Sequence, residues 1–390
     1  MQTRSQHIPV LDGFRVLLVF LVSWFHIWQQ SWWTPSVGRL SLDFLVRAGY
    51  VFVDGTILLS GFLLMLPYAR AHGNHQPLPD TRRFYERRIM RILPSYYADE
   101  LILLFVVALP LGQYSFAPYM VKDLFTHATL TFTFWRDTYL GSPIGGACWT
   151  LAIEAQAYLL FPFLARRVLK KPMWTLPLMA LTAWAFRAWC MWGLTDYQMV
   201  VNQLPAFLDV YAIGMGLAWL VVMPKRISLR PGLRGLLALL LLIGSVAAMV
   251  YLLKIQARSP SFAEIQRGQM QLRFPLAISL SGCMLGMMGL WKPLRCVFGN
   301  PVMHFLSSIS LNYYLLHQPI AVALKRWGIP HAVSEKPNTV GEWPWQWQYT
   351  FLCFGIALAM ATLLTYAVEK PAAKLLGRWF DRRRTKAEAA

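Results

Sequence analysis

Apolar residues in this chain run in blocks of about twenty, separated by short polar, basic or proline-bearing stretches. A helix of roughly twenty residues crosses a hydrocarbon core of about 30 Å. The blocks lack the alternation of the roughly ten-residue strands that build a membrane barrel. They predict an all-α fold of about ten transmembrane helices, at 12–33, 44–68, 93–112, 148–165, 173–193, 203–223, 233–253, 273–291, 302–324 and 347–368. The segment from Met120 to Trp135 is apolar but broken by Lys122, Asp123 and His127, and it reads as interfacial or re-entrant. An eleventh span there would invert everything after it. No early charged region is followed by a short apolar core and a small-residue cleavage site, so the first block reads as a retained helix. The expected organisation is one transmembrane domain over 1–375 with a basic tail over 376–390.

Composition strengthens this picture: 56% hydrophobic residues, 14% charged residues and 17 tryptophans exclude an ordinary soluble chain and point to a multi-pass membrane protein. The formal charge of +19 becomes a topology signal once the basic residues are located. With the N-terminus inside, 25 of the 37 Lys and Arg fall on the cytoplasmic side. They are Arg4 and Arg15, the Arg70 to Arg91 group, Arg166 to Lys171, Lys225 to Arg234, Lys292 and Arg295, and the Lys370 to Lys386 tail. Such an excess marks cytoplasmic loops, so the chain is expected in the cytoplasmic membrane with both termini on its cytoplasmic side. No basic-aromatic surface argues for nucleic acid. The five cysteines are scattered without CxxC spacing and suggest neither a disulfide framework nor a zinc site; no metal is expected.

Against this apolar background the polar groups stand out. The first block carries Asp12 and Arg15 at its mouth and His26 fourteen residues beyond Asp12, about 21 Å along a helix. A titratable group at that depth is expensive and marks a functional candidate, a histidine hydrogen-bonded between packed helices being the structural alternative. In the expected topology His26, Glu154 and His317 fall in the outer half of the membrane and Asp54 near mid-depth, so these groups could converge on one cavity. Scattered interhelical hydrogen bonds are the simpler reading of the same residues. Between the second and third spans, Arg87, Arg88 and Arg91 share a helix face at i,i+3 and i,i+4 spacing. Their planar forks suit phosphate oxygens, while a topological anchor or a contact with anionic membrane lipids accounts for charge alone.

Several of these stretches together resemble membrane acyltransferase family 3. Leu11-Asp12-Gly13 with Arg15 and His26 resembles the family's LDGxR opening and its histidine. Val53-Asp54-Gly55 followed by Ser60-Gly61-Phe62-Leu63-Leu64 resembles its VDxFFxxSGFLL segment. Phe84-Tyr85 with Arg88 to Pro94 resembles FYxRRxxRIxP; Trp149-Thr150-Leu151 with Glu154, Gln156 and Tyr158 resembles WSLxxEEQFYLLFP. Ser310 to Pro319, containing Asn312 and His317, resembles ISYxxYLxHxP, and Glu369-Lys370-Pro371 the closing ExP. The chain departs from the pattern at Thr56-Ile57, Ala155 and Asn312, which bears on substrate identity more than on reaction class.

The resemblance implies transfer of an acyl group, most often acetyl, from acyl-CoA to a hydroxyl of a carbohydrate or lipid-linked glycan. Under it, His26 is the general base, since an imidazole needs little tuning to work near neutral pH, and Glu154 orients it or shares its proton. Arg88 and Arg91 hold the CoA phosphates, with Tyr85, Arg15 and Asp12 organising that entrance and Trp149 and Tyr158 packing. No hydrolase-like domain follows the tenth expected span, so a second transfer step would need a separate partner enzyme. Two competing classes share the composition: a transporter or flippase for a polar lipid, and a lipid-binding structural subunit.

Overall fold

The computed structural model describes residues 7–222, 230–259 and 261–389, with side chains through 385; Arg4, Lys225, Arg226 and the Lys386 side chain lie outside them. Along the chain run α1 (Val10–Ser31), α2 (Asp43–Arg47), α3 (Val53–Gly73), α4 (Thr81–Ile102), α5 (Ala117–Ala128), α6 (Arg136–Leu140) and α7 (Trp149–Lys170). There follow α8 (Pro172–Gly193), α9 (Leu208–Val222), α10 (Pro231–Ala257), α11 (Phe262–Gly289), α12 (Lys292–Phe298), α13 (Pro301–Arg326), α14 (Trp343–Leu364) and α15 (Lys370–Ala389). The only strands among the described residues are a two-residue pair, Ser36–Val37 and Leu40–Ser41. The chain is an all-α, multi-pass membrane protein. Six helical stretches among the described residues are long and apolar enough to cross a membrane: Val10–Ser31, Gly49–Gly73, Leu204–Val222, Pro231–Ala257, Phe262–Gly289 and Trp343–Thr385. Other long helices that fall short of that apolarity carry polar or charged groups, among them Arg88, Asp99 and Glu100 on α4, Glu154 on α7 and His317 on α13.

Every expected span falls on a helix, but several bounds move for local reasons. The stretch predicted from 93 starts instead at Thr81, because Asp80 caps it by accepting the Arg83 amide at 2.8 Å. The stretch predicted from 273 starts at Phe262, where Ser261 accepts the Glu264 amide at 3.3 Å and opens a capping-box sequence. Residues 44–48 do not join the second span but fall in and just after α2; the span opens with a tight helical turn at Gly49–Phe52, where Gly49 lies so close to the Leu21 carbonyl that a Cβ would clash. The Met120 to Trp135 segment resolves into α5, whose twelve residues reach only about 18 Å, too short to span.

Contacts divide the chain into two compact units: Met1–Phe25, Thr34–Leu78 and Leu159–Ser307 in the first, His26–Trp33, Pro79–Tyr158 and Ser308–Ala390 in the second. In the first, α3 and α9 approach through glycine, Gly61 against the Tyr211 backbone and Gly214 against the Leu58 carbonyl. Close approach through small residues is how helices gain packing energy where lipid removes the hydrophobic drive. Two buried ion pairs lie beside it. Arg187 makes a two-pronged contact with Asp209 at 2.9 and 2.5 Å, and Arg273 reaches Asp54 at 3.4 Å. Both guanidiniums donate to the Ala206 carbonyl. Each charge is thus balanced and hydrogen-bonded, which is what makes its burial tolerable.

The second unit closes around the last turns of α1. Ile27 packs with Ala321 and Leu324 of α13 and with Trp345, Tyr349 and Cys353 of α14. Lys325 donates to the Gln30 carbonyl at 2.8 Å and Gln346 to that of Ser31 at 3.0 Å. Between α14 and α15 the helix widens into a π-turn over Thr365–Glu369. There buried Asn312 donates to Thr365 at 2.7 Å and to Glu369 at 2.6 Å, while Ser95 of α4 donates to Glu369 at 3.1 Å. A widened turn of this kind is uncommon and clusters at functional places.

Candidate functional site

The packing of Ile27 fixes its neighbour His26. The His26 ring lies 5.2 Å from that of His317, the planes inclined at 49°. His317 is fully buried, its Nδ1–H donated to the Tyr314 carbonyl at 2.6 Å. Its Nε2 therefore carries the lone pair of a neutral imidazole, and this atom is buried with no hydrogen-bond partner among the described residues. Tyr313 and Tyr314 flank the ring with centroids at 6.3 and 5.5 Å. His26 is only half-buried and pairs Nδ1 with Gln29 Oε1 at 3.0 Å. As Oε1 can only accept, Nδ1 holds the proton and Nε2 is the basic nitrogen. An imidazole oriented through one nitrogen and basic at the other is what proton abstraction requires.

Arg88 and Arg91 are presented differently by α4. Arg91 is exposed, whereas Arg88 is half-buried with its guanidinium 5.7 Å from both the Phe84 and Tyr158 ring centres. Its Nε is buried without a hydrogen-bond partner. Burial lowers the Arg88 pKa from its ordinary value; a guanidinium nonetheless stays charged in a protein. Tyr158 in turn donates to Glu154 at 2.6 Å. That hydrogen bond assigns Glu154 to the Tyr158 and Arg88 end of the unit, so an orienting role on His26 gains no support from its geometry. Tyr85 lines a cleft of about 570 Å³ with Arg82, Trp379, Phe380 and Arg383, so the first turns of α4 and the tail helix α15 share one wall of aromatic and basic groups. The Arg383 guanidinium lies 4.1 Å over the Trp379 ring. A second cavity, about 420 Å³, adjoins His317 in sequence: Gln318, Pro319, Arg326 and Trp327 of its wall lie on or just after α13, with Gln113 and Gly141 opposite.

The remaining candidates belong to the first unit. Asp12 bonds His304 Nδ1 at 3.0 Å and His7 Nε2 at 2.9 Å in the opening turn of α1, and Arg15 is half-buried one turn on. The neighbouring Gly13 abuts the Phe298 backbone, leaving no room for a side chain. Asp54 is the acid of the Arg273 ion pair, a structural partner that its position in the sequence did not disclose. Gln29 was missed although its i,i+3 spacing to His26 was a readable signal. In sequence Trp379 and Arg383 belong to the basic tail, and only the fold brings them to the cleft beside Tyr85.

Comparison with known proteins places this geometry in a context. Residues 8–365 match the model of the Acyl_transf_3 family, described as an acyltransferase domain. The chain is similar to Putative peptidoglycan O-acetyltransferase YrhL of Bacillus subtilis (strain 168), 31% identical over 173 residues, which is 42% of this chain and 25% of that one. It is also similar to Peptidoglycan O-acetyltransferase OatA of Listeria monocytogenes serovar 1/2a, 26% identical over 170 residues, covering 40% of this chain and 24% of that one. The chain thus spans about a quarter of the length of the curated relatives it matches. No solved structure matches it.

Proposed function

From the premise that the chain belongs to membrane acyltransferase family 3, we propose that it is an O-acetyltransferase that moves acetyl from cytosolic acetyl-CoA to a hydroxyl of a cell-envelope glycan. The observation that carries this reading is the His26–His317 pair. The names of the two relatives, both given for peptidoglycan, favour a carbohydrate acceptor. His26 Nε2 takes the proton of the acceptor hydroxyl as its oxygen attacks the thioester carbonyl. The carbon–sulfur bond breaks, the CoA sulfur leaves, and the proton on His26 returns to it. Gln29 and His317 are positioning residues that hold the His26 ring.

Arg88 and Arg91 are assigned to the CoA phosphates, with Tyr158 and Glu154 holding Arg88, and the Tyr85 cleft suits the adenosine end with its aromatic walls and arginines. The cavity beside Gln318 offers Trp327 and Arg326 to a sugar. In this reading ten helices span the cytoplasmic membrane, both termini are cytoplasmic and Arg15 borders the donor entrance. The acetyl group then passes through a single transmembrane domain over 1–375, beside a cytoplasmic tail.

The test is mass spectrometry of envelope glycans from cells with and without the protein, read together with the thermal stability of purified protein in acetyl-CoA. The expected result is an acetyl increment lost with the protein, and stabilisation reaching about 2.7 kcal/mol at a hundredfold excess over Kd. Unchanged glycans together with no response to acetyl-CoA would overturn the assignment and favour a lipid transporter.

A further inference from the structure

Within the second unit, away from the imidazole pair in sequence, three buried donors face one another: Glu100 of α4, His127 near the end of α5 and Cys148 just before α7. One ligand atom from each lies within 4.8 Å of the other two. The residues are 8, 2 and 1% exposed. Both Glu100 carboxylate oxygens and His127 Nε2 are buried without a hydrogen bond of ordinary geometry, although the Tyr96 hydroxyl and the Cys148 thiol lie close enough to interact with the carboxylate. We propose that Glu100, His127 and Cys148 form a three-ligand zinc site that ties α4, α5 and the start of α7 together.

The surroundings of His127 are those of a metal ligand. Its Nδ1–H points at the Asp123 backbone carbonyl at 3.0 Å, with the Asp123 carboxylate at 3.2 Å, so the lone pair is fixed on Nε2. Backing of this kind fixes the tautomer of zinc-bound histidines and raises their basicity. Asp123 is itself held by Tyr114 at 2.7 Å and Ser142 at 2.8 Å. The His127 ring stacks on Phe132 at 4.1 Å with the planes 4° apart, and Tyr96 donates to the His127 carbonyl at 2.9 Å. Ring plane, backbone and tautomer are therefore all set while the outward nitrogen has nothing to bind.

Charge and donor type select the ion. An imidazole, a thiolate and a carboxylate suit zinc, and the two anions neutralise a divalent ion, so the buried carboxylate gains a counter-charge. Bonds of about 2.0–2.3 Å in tetrahedral geometry put ligand atoms roughly 3.3–3.8 Å apart, so from separations within 4.8 Å the three side chains need close in by at most about 1.5 Å on binding. Cys148 presently donates its thiol hydrogen to the Gly145 carbonyl at 2.6 Å. Binding forms the zinc–sulfur bond and releases that proton to solvent. Asp123 sits behind Nδ1, on the far side of the ring from Nε2, so it backs His127 rather than serving as a ligand itself.

The full-length protein, purified in detergent without chelator, is expected to hold about one zinc per chain by elemental analysis. After chelation, added cobalt(II) should give a thiolate-to-cobalt charge-transfer absorption. Cys148→Ser should abolish that absorption and Glu100→Gln weaken zinc retention, while Cys296→Ser, at an exposed cysteine, leaves both unchanged. Wild-type protein that takes up no zinc or cobalt overturns the site. So does zinc that survives Cys148→Ser and is lost in His304→Ala, because the metal would then sit at the exposed His7, Asp12 and His304 group. Metal content is read without acetyl transfer, so its failure leaves the proposed activity untouched.

Discussion

His26 and the groups around it make separable predictions. Removing a positioned general base removes about 10²–10⁴-fold in rate, so His26→Ala should lose turnover to that extent per folded molecule while acetyl-CoA binding stays nearly intact. Equilibrium binding measured beside turnover checks this, and well-folded His26→Ala protein with wild-type turnover would sink the base assignment. Gln29→Leu removes one neutral hydrogen bond of about 0.5–1.5 kcal/mol, so turnover should fall by about 2–12-fold with the Michaelis constant unchanged. For the arginines the two environments predict an asymmetry. Arg91 is exposed and Arg91→Lys should bind CoA almost as wild type does. Arg88 is stacked on Phe84 and Tyr158, and Arg88→Lys, which keeps charge but loses the planar fork, should weaken CoA binding by about tenfold or more. Equal effects at the two positions would remove the case for Arg88 as the anchored member.

At the scale of elements, buried charge decides what holds helices in place. Asp54 joins α3 to Arg273 of α11, and deleting one member of a buried pair costs about 3–5 kcal/mol because the other is left uncompensated. Asp54→Ala should therefore lower the unfolding temperature and the folded yield in detergent, while the surviving folded protein keeps its turnover. Loss of turnover at normal stability would return Asp54 to the reaction. Asn312 shows why a departure from a family pattern need not concern substrate: it is fully buried and bonds Thr365 and Glu369 across the π-turn. The cap residues Asp80 and Ser261 explain why α4 and α11 begin well before their apolar stretches. Hydropathy marks where a helix meets lipid, whereas the helix itself begins where its first amides find acceptors.

For the whole molecule the open quantity is the number of crossings. Both termini inside requires an even count, and the short α5 adds none. Reporter fusions at Gln76 and at Thr385 should score cytoplasmic and a fusion at Asp196 exported; an exported reporter at Thr385 would break the ten-span scheme. What the sequence by itself determined was the class of molecule and most of its helices, because burial in lipid demands long apolar blocks and internally satisfied backbone whatever the packing. It also determined the singular polar residues, since each is costly in apolar surroundings, and the short-range pairs such as Arg88 with Arg91, which helix geometry places on one face. Only the tertiary structure decided which neighbour offsets each cost. Asp54 finds Arg273 and Asn312 finds Thr365 and Glu369, and His26 meets the ring of His317. Those partners are distant in the chain, and hydropathy and spacing register that a group is expensive to bury without recording which side chain, folded against it, makes the burial tolerable.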